Sequence, residues 1–76
     1  MNRKAQQLEL EAAIAAVNNA RDWGADYFKR YPNLMLVEVA REAAERFEPV
    51  NLQIVFLQGY SRARMQHEEF LLESER

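Results

Sequence analysis

The chain of 76 residues contains no cysteine. Disulfide bridges and thiolate metal sites are therefore excluded, and a reducing compartment is permitted, so we expect a cytoplasmic protein. A single core in a chain of this size supplies only about 3–5 kcal/mol of stability, and small proteins without such staples gain stability from oligomers or partners. The sequence predicts one domain, residues 1–76, with little core to spare.

A long apolar run is also lacking. The N-terminal part, MNRKAQQLELEAAIAAVNN, begins with cations, but Glu9 and Glu11 interrupt the stretch that would have to be hydrophobic. A membrane-spanning helix needs about 20 predominantly apolar residues, and a secretory signal needs a shorter uninterrupted run. We therefore expect no signal peptide, no membrane span and no membrane partner.

An excess of positive charge is missing as well. Ten lysines and arginines stand against twelve acids, which gives a net charge of −2. Proteins that bind nucleic acid usually carry a basic excess, because neutralising phosphates releases counterions. The local pairs Arg3–Lys4, Lys29–Arg30 and Arg62/Arg64 are typical of solvated helix faces. Direct binding to nucleic acid is not expected.

Groups for catalysis are few. The chain has no cysteine nucleophile, and its two serines, Ser61 and Ser74, lie late in the sequence. Its one histidine, His67, heads the stretch HEE, whereas a zinc protease motif needs a second histidine at position 71, which is leucine. No glycine-rich loop is present to bind phosphate. We expect no enzymatic activity, no cofactor and no metal site.

The scarcity of glycine and proline, two of each, favours long helices. The first helix is predicted over about residues 5–31, because small and apolar residues recur there at spacings of three and four. These residues are Leu10, Ala13, Val17, Ala20, Gly24, Tyr27 and Tyr31. Gly24 costs roughly 1 kcal/mol relative to alanine inside a helix. Either the helix bends at Gly24, or a neighbouring backbone approaches it closely.

The stretch YPN predicts the end of this helix, since the residue before a proline avoids helical dihedrals. Asn33 is then the predicted N-cap of a second helix over about residues 34–47. Its inner stripe is predicted as Leu36, Ala40, Ala43 and Phe47, with Val39 and Ala44 beside it. Its charged outer face is predicted to be solvated, with the i, i+4 pairs Arg41–Glu45 and Glu42–Arg46.

The stretch EPVN marks a second break, and Pro49 suits the first turn of a third helix over about residues 50–72. The run IVFL within residues 52–58 is compatible with a strand, but no second strand exists to pair with it, which favours a helix. The final ESER is predicted to fray, because acids oppose the helix macrodipole there. The predicted fold is all-α, a small three-helix bundle.

The densest aromatic and basic cluster in the chain lies at the first turn. Since three short helices offer limited burial, part of this cluster is predicted to bind a protein partner, where Trp, Tyr and Arg concentrate binding energy. The sequence alone leaves core and interface as equal alternatives for these aromatics. The candidate partner-binding residues are Trp23, Tyr27, Phe28, Lys29, Arg30, Tyr31, Leu34 and Met35.

The same stretch carries a resemblance to a known family. VNNARDWGADYFKRYPNLM, residues 17–35, resembles the theta subunit of the bacterial DNA polymerase III core and its phage-encoded relative. VAREAAERFEPVNLQIVF, residues 39–56, resembles the second helix of that family and the proline-led start of its third. The shared positions are Val17, Asn18, Gly24, Phe28, Lys29, Arg30, Tyr31, Asn33, Met35, Val39, Ala40, Arg41, Glu42, Pro49, Leu52, Phe56 and Arg64.

The resemblance covers roughly the central two-thirds of the chain and requires one-residue shifts near Gly24 and within Lys29–Tyr31. It implies a three-helix fold, no catalytic activity, and binding to the proofreading exonuclease subunit, which theta stabilises. This chain departs from the family in a longer segment between Met35 and Pro49. Its acidic end, HEEFLLESER, replaces a more basic tail in the family, which puts the partner in question.

Two further hypotheses fit the same residues. In the first, the protein is a small phage-type inhibitor or adaptor of an unrelated host protein. In the second, it associates with itself. In the latter case, the small residues from Ala13 to Gly24 pack against another copy as a homodimer.

Overall fold

The computed structural model describes residues 3–75, with side chains from residue 6 onward, and forms three α-helices. They are α1 (Arg3–Arg30), α2 (Leu36–Arg46) and α3 (Val50–Ser74). The predicted all-α three-helix bundle is confirmed. The apolar run IVFL belongs to α3, so residues 52–58 are helix and not strand.

The first turn begins where the proline predicts it. α1 ends at Arg30, and the N–H of Tyr31 still donates to the carbonyl of Tyr27 at 2.9 Å. The predicted N-cap at Asn33 is wrong, because α2 starts two residues later and Met35 is its N-cap. The N–H of Met35 donates to the carboxylate of Glu38 at 3.1 Å, so an acid in the first turn, rather than an amide before it, closes this end.

The second turn is held by a side chain of the helix that follows it. Pro49 is the N-cap of α3 rather than its first helical residue. The side-chain amide of Gln53 donates to the carbonyl of Phe47 at 2.7 Å. α3 stays helical to Ser74, whose hydroxyl donates to the carbonyl of Leu71 at 3.0 Å, and the fraying of the final residues stays a prediction.

The two short turns reverse the chain twice, so α1 and α3 run in the same direction and α2 runs in the opposite one. α3 packs against both other helices. Phe28, near the end of α1, contacts Tyr60 and His67 in the middle of α3, so the two long helices are staggered along their axes. The molecule is 58 Å long, although α1 alone would span only about 42 Å.

The backbones of α1 and α3 meet at two glycines. A Cβ added to Gly24 would clash with the carbonyl of Phe56 and lie 3.0 Å from the backbone nitrogen of Tyr60. A Cβ added to Gly59 would clash with the carbonyl of Arg21. Neither glycine has a positive φ, so both are needed for space rather than for backbone conformation. Of the two alternatives for Gly24, the close backbone approach is correct.

The core is small and surrounds this crossing. Its buried side chains come from all three helices, and Phe56, Tyr60 and Val39 are the largest that are fully buried. The buried apolar residues are Ala20, Phe28, Val39, Ala43, Phe56 and Tyr60. The predicted stripe of α2 is wrong at Leu36 and Ala40, which are exposed, and correct at Ala43, which is buried, and at Phe47, which packs against the core. Val39, predicted beside the stripe, is fully buried.

We predict that Gly24→Ala destabilises the protein, although alanine favours the helix by about 1 kcal/mol. The added methyl group meets backbone atoms of α3, which cannot rotate away, and such overpacking costs about 1–3 kcal/mol. Urea unfolding followed by circular dichroism measures the change. Asn19→Ala, at an exposed position of the same helix, is the control and should not lower stability. An unchanged or higher stability of Gly24→Ala would contradict the close crossing.

Candidate protein-binding site

A shallow groove of about 230 Å³ lies on the side of α1 where α2 ends. Its walls are Trp23, Asp26, Tyr27, Arg30 and Arg46. The four residues from α1 recur at spacings of three and four, so the helix brings them to one face. We call this surface the aromatic groove. It combines an indole, a phenol, two guanidinium groups and one carboxylate.

Aromatic residues of α3 and of the second turn hold Trp23 of the aromatic groove in place. Trp23 stacks on Phe47 with ring centroids 5.6 Å apart, and 49% of Trp23 stays exposed. Phe47 in turn packs on Phe56, at 5.8 Å between centroids. Trp23 therefore presents a rigid apolar surface, and its position costs little further entropy when a partner binds.

Arg46 closes one wall and is held in place twice. Its Nε donates to the carboxylate of Glu42 at 2.7 Å, which confirms this predicted i, i+4 pair. The other predicted pair, Arg41–Glu45, is wrong, because these two side chains form no ion pair within residues 6–75. Its guanidinium carbon also lies 5.3 Å from the ring centroid of Tyr27 and 5.4 Å from that of Phe56. Both distances are within the range of cation–π contacts. The prediction that this face of α2 only meets solvent is wrong at Arg46, which joins α2 to the groove.

Tyr60 fixes the turn that follows the groove. Its hydroxyl donates to the carbonyl of Tyr31 at 2.6 Å and accepts from the N–H of Leu34 at 3.3 Å. The ring itself is fully buried and packs edge-on against Phe28 at 5.5 Å. One buried side chain of α3 thus satisfies two backbone groups that the end of α1 and the turn would otherwise leave unpaired.

The two adjacent cations of the first turn have different surroundings. Arg30 lines the aromatic groove, whereas Lys29 does not, because consecutive helical residues point about 100° apart. Within residues 3–75, neither Arg30 nor Asp26 forms an ion pair with another residue. Their charges are therefore available to a partner: Arg30 to a carboxylate and Asp26 to a cation.

The remaining candidate residues divide by burial. Phe28 is only 8% exposed and is a core residue, so it offers no surface to a partner. Tyr27 and Leu34 are half-buried against the core, and Tyr27 also lines the groove. Tyr31 and Met35 are exposed but lie outside the groove wall. Of the four aromatics, Phe28 is thus a core residue, Tyr27 is half-buried, and Trp23 and Tyr31 are exposed.

Burial also acts on the Tyr27 phenol. Removal from water raises the pKa of Tyr27 above its ordinary value of 10.0, and the negative charge of Glu42 raises it further. The neutral phenol is therefore the form that the folded protein favours. At neutral pH, Tyr27 lines the groove as an uncharged side chain.

His67 packs on an aromatic ring of the core. Its ring lies 5.7 Å from that of Phe28, in an edge-to-face arrangement. In the part of the chain that the structure describes, no group of three metal-ligating side chains comes together. In that same part, no helix has both the length and the apolar character that crossing a bilayer requires.

We predict that part of the stability of the fold is lost in alkali through Tyr27. Because its pKa is raised in the folded state, the unfolded chain gives up the phenol proton first as the pH rises past about 10. The stability due to neutral Tyr27 is thus complete below that pH and is lost above it. Urea unfolding at about pH 8 and about pH 11 should show a smaller decline for Tyr27→Phe than for the wild type. Equal declines would show that Tyr27 ionises alike in both states.

Comparison with models of protein families, with curated proteins and with solved structures yields no match for this chain. What the protein does is therefore inferred from its own residues.

Proposed function

We propose that this protein is a non-catalytic accessory protein that binds another protein through the aromatic groove. The observation that carries the proposal is the half-exposed ring of Trp23 beside the unpaired charges of Arg30 and Asp26. Tryptophan, tyrosine and arginine are the residues that most often dominate binding energy at interfaces. The groove combines all three on a pre-formed surface.

The groove chemistry favours a particular type of partner segment. An apolar side chain fits over Trp23, and a carboxylate next to it pairs with Arg30. Because the charge of Arg46 is already paired with Glu42, Arg46 contributes no new ion pair. A partner segment that carries an apolar side chain, a carboxylate for Arg30 and a cation for Asp26 satisfies these groups.

For the identity of the partner, we propose the proofreading exonuclease of a replicative DNA polymerase. This part of the proposal rests on the resemblance of residues 17–35 and 39–56 to theta subunits. The groove residues Trp23, Tyr27 and Arg30 all lie in the first of these stretches. In this role, the protein acts in the cytoplasm as a stabilising subunit and needs no contact with DNA.

We predict that calorimetric titration with the isolated exonuclease domain gives saturable binding at micromolar concentrations or below. Trp23→Ala should weaken binding at least tenfold, since a central aromatic anchor is typically worth 2 kcal/mol or more. Arg30→Gln should weaken it by a smaller factor and should reduce the dependence of the association rate on salt. Circular dichroism checks that each variant keeps its helices.

Two matched controls separate the groove from the rest of α1. Lys29→Gln removes the adjacent charge outside the groove, and Leu8→Ala truncates an exposed side chain, 65% accessible, in the N-terminal half of α1. Both should bind as the wild type does. If the controls weaken binding as much as Trp23→Ala and Arg30→Gln do, the groove is not the contact.

A failure of the wild type to bind the exonuclease would overturn the identity of the partner. The unrelated-host-protein hypothesis then takes its place. It predicts that a purified host protein captured by the wild type is lost with Trp23→Ala and retained with Leu8→Ala. If both variants retain the captured protein, the groove is overturned as a binding site.

A further inference from the structure

The face of α1 that packs on α3 continues toward the N-terminus of α1, past the first turn of α3. Ala20 and Gly24 contact α3, and the same face runs toward the N-terminus through residues at helical spacing. There, Leu10 is 61% exposed and Ile14 is 51% exposed. We call this surface the open face of α1, and it consists of Leu10, Ala13, Ile14 and Val17. A shallow depression of about 200 Å³ lies along it.

α3 repeats this feature at the opposite end of the molecule. Gly59 and Tyr60 contact α1, but the face that they begin extends past the end of α1. Phe70 is 65% exposed and Leu71 is 47% exposed. We call this surface the open face of α3, and it consists of His67, Phe70 and Leu71. The stagger of the two long helices leaves one apolar face uncovered on each.

The accessible surface of the whole molecule is large for the size of the chain. The protein has 6334 Å² of accessible surface, whereas a compact monomer of 8.9 kDa is expected to have about 4,800 Å². Its radius of gyration is 15.5 Å, against about 11 Å for a compact chain of this length. The excess surface exceeds the roughly 800 Å² that each partner contributes to a standard interface.

We propose that a second copy of this chain covers both open faces in a symmetric homodimer. Within one chain, the face of α1 already packs against the face of α3, and each open face continues one half of that contact. Every copy therefore carries both apolar faces, and two copies cover each other's faces without a further protein. A two-fold axis makes the same pair of contacts twice, as in most homodimers.

Charge favours an antiparallel arrangement of the open faces. The last turns of α3 carry acids, among them Glu68, Glu69 and Glu73, and α3 ends without a basic residue in its last turn. The N-terminus of α1 bears the positive end of its macrodipole and has no acid in its first turn. Antiparallel pairing places the acidic end of α3 beside the positive end of α1 in the other copy.

This interface leaves the aromatic groove free. Trp23 is about 100° around α1 from Gly24, so the groove and the open face occupy different sides of the helix. Self-association and binding of another protein are therefore separable, and the homodimer does not depend on the proposed function. Of the small residues from Ala13 to Gly24, Ala20 and Gly24 are already buried against α3 of the same chain. Only those nearer the N-terminus are therefore free to contact a second copy.

Sedimentation equilibrium of the full chain, from low micromolar to near-millimolar concentration, tests the proposal. The wild type should reach the mass of a dimer, and its thermal midpoint should rise with concentration. Ile14→Glu and Phe70→Glu each place a charge on one open face and should give monomers that keep their helices. Val37→Glu is the matched control, because Val37 is 54% exposed on α2 and should leave the dimer intact.

The absence of cysteine allows the pairing itself to be tested. Leu10→Cys and Leu71→Cys, mixed and oxidised, should form a disulfide between the two variants in preference to either variant with itself. A wild type that stays monomeric over the whole range would overturn the homodimer. A dimer lost with Val37→Glu but not with Ile14→Glu would place the interface elsewhere, and predominant Leu10→Cys self-linkage would overturn the antiparallel pairing.

Discussion

The close crossing of α1 and α3 at Gly24 and Gly59 determines the rest of the structure. Because neither glycine has a side chain, the backbones come within contact distance. Phe56 and Tyr60 of α3 are buried next to this contact. Tyr60 then reaches the end of α1 and holds the turn through Tyr31. The crossing thus sets the stagger of the long helices and the position of the aromatic turn.

A core this small leaves many large apolar side chains exposed. The centre of the molecule forms the packed region, and one side of it presents Trp23 and Arg30 in a groove built on Phe47 and Arg46. The two ends carry apolar faces that no other described residue covers. The proposed partner and the proposed homodimer would each bury part of this exposed surface.

The helices were predictable because Pro32 and Pro49 interrupt a sequence otherwise rich in helix formers. The rotation of α2 was predicted only in part, because adjacent apolar residues such as Val39 and Ala40 allow either of two neighbouring stripes to face the core. Val39 faces the core and Ala40 does not, although both fit a stripe. The role of Arg46 was hidden for a different reason. Its i, i+4 pair is typical of a solvated face, and only the packed structure brings its guanidinium over the aromatic rings.

Hydrogen exchange of dilute protein, measured amide by amide, tests most directly the claim that one short crossing holds the fold together. The slowest amides should lie near the crossing, in residues 20–30 of α1 and 56–63 of α3, because local opening there requires the core to separate. Residues 6–15 and 66–74 should exchange much faster despite being helical. Uniform protection along both long helices in dilute solution, or fast exchange around Gly59, would contradict the account.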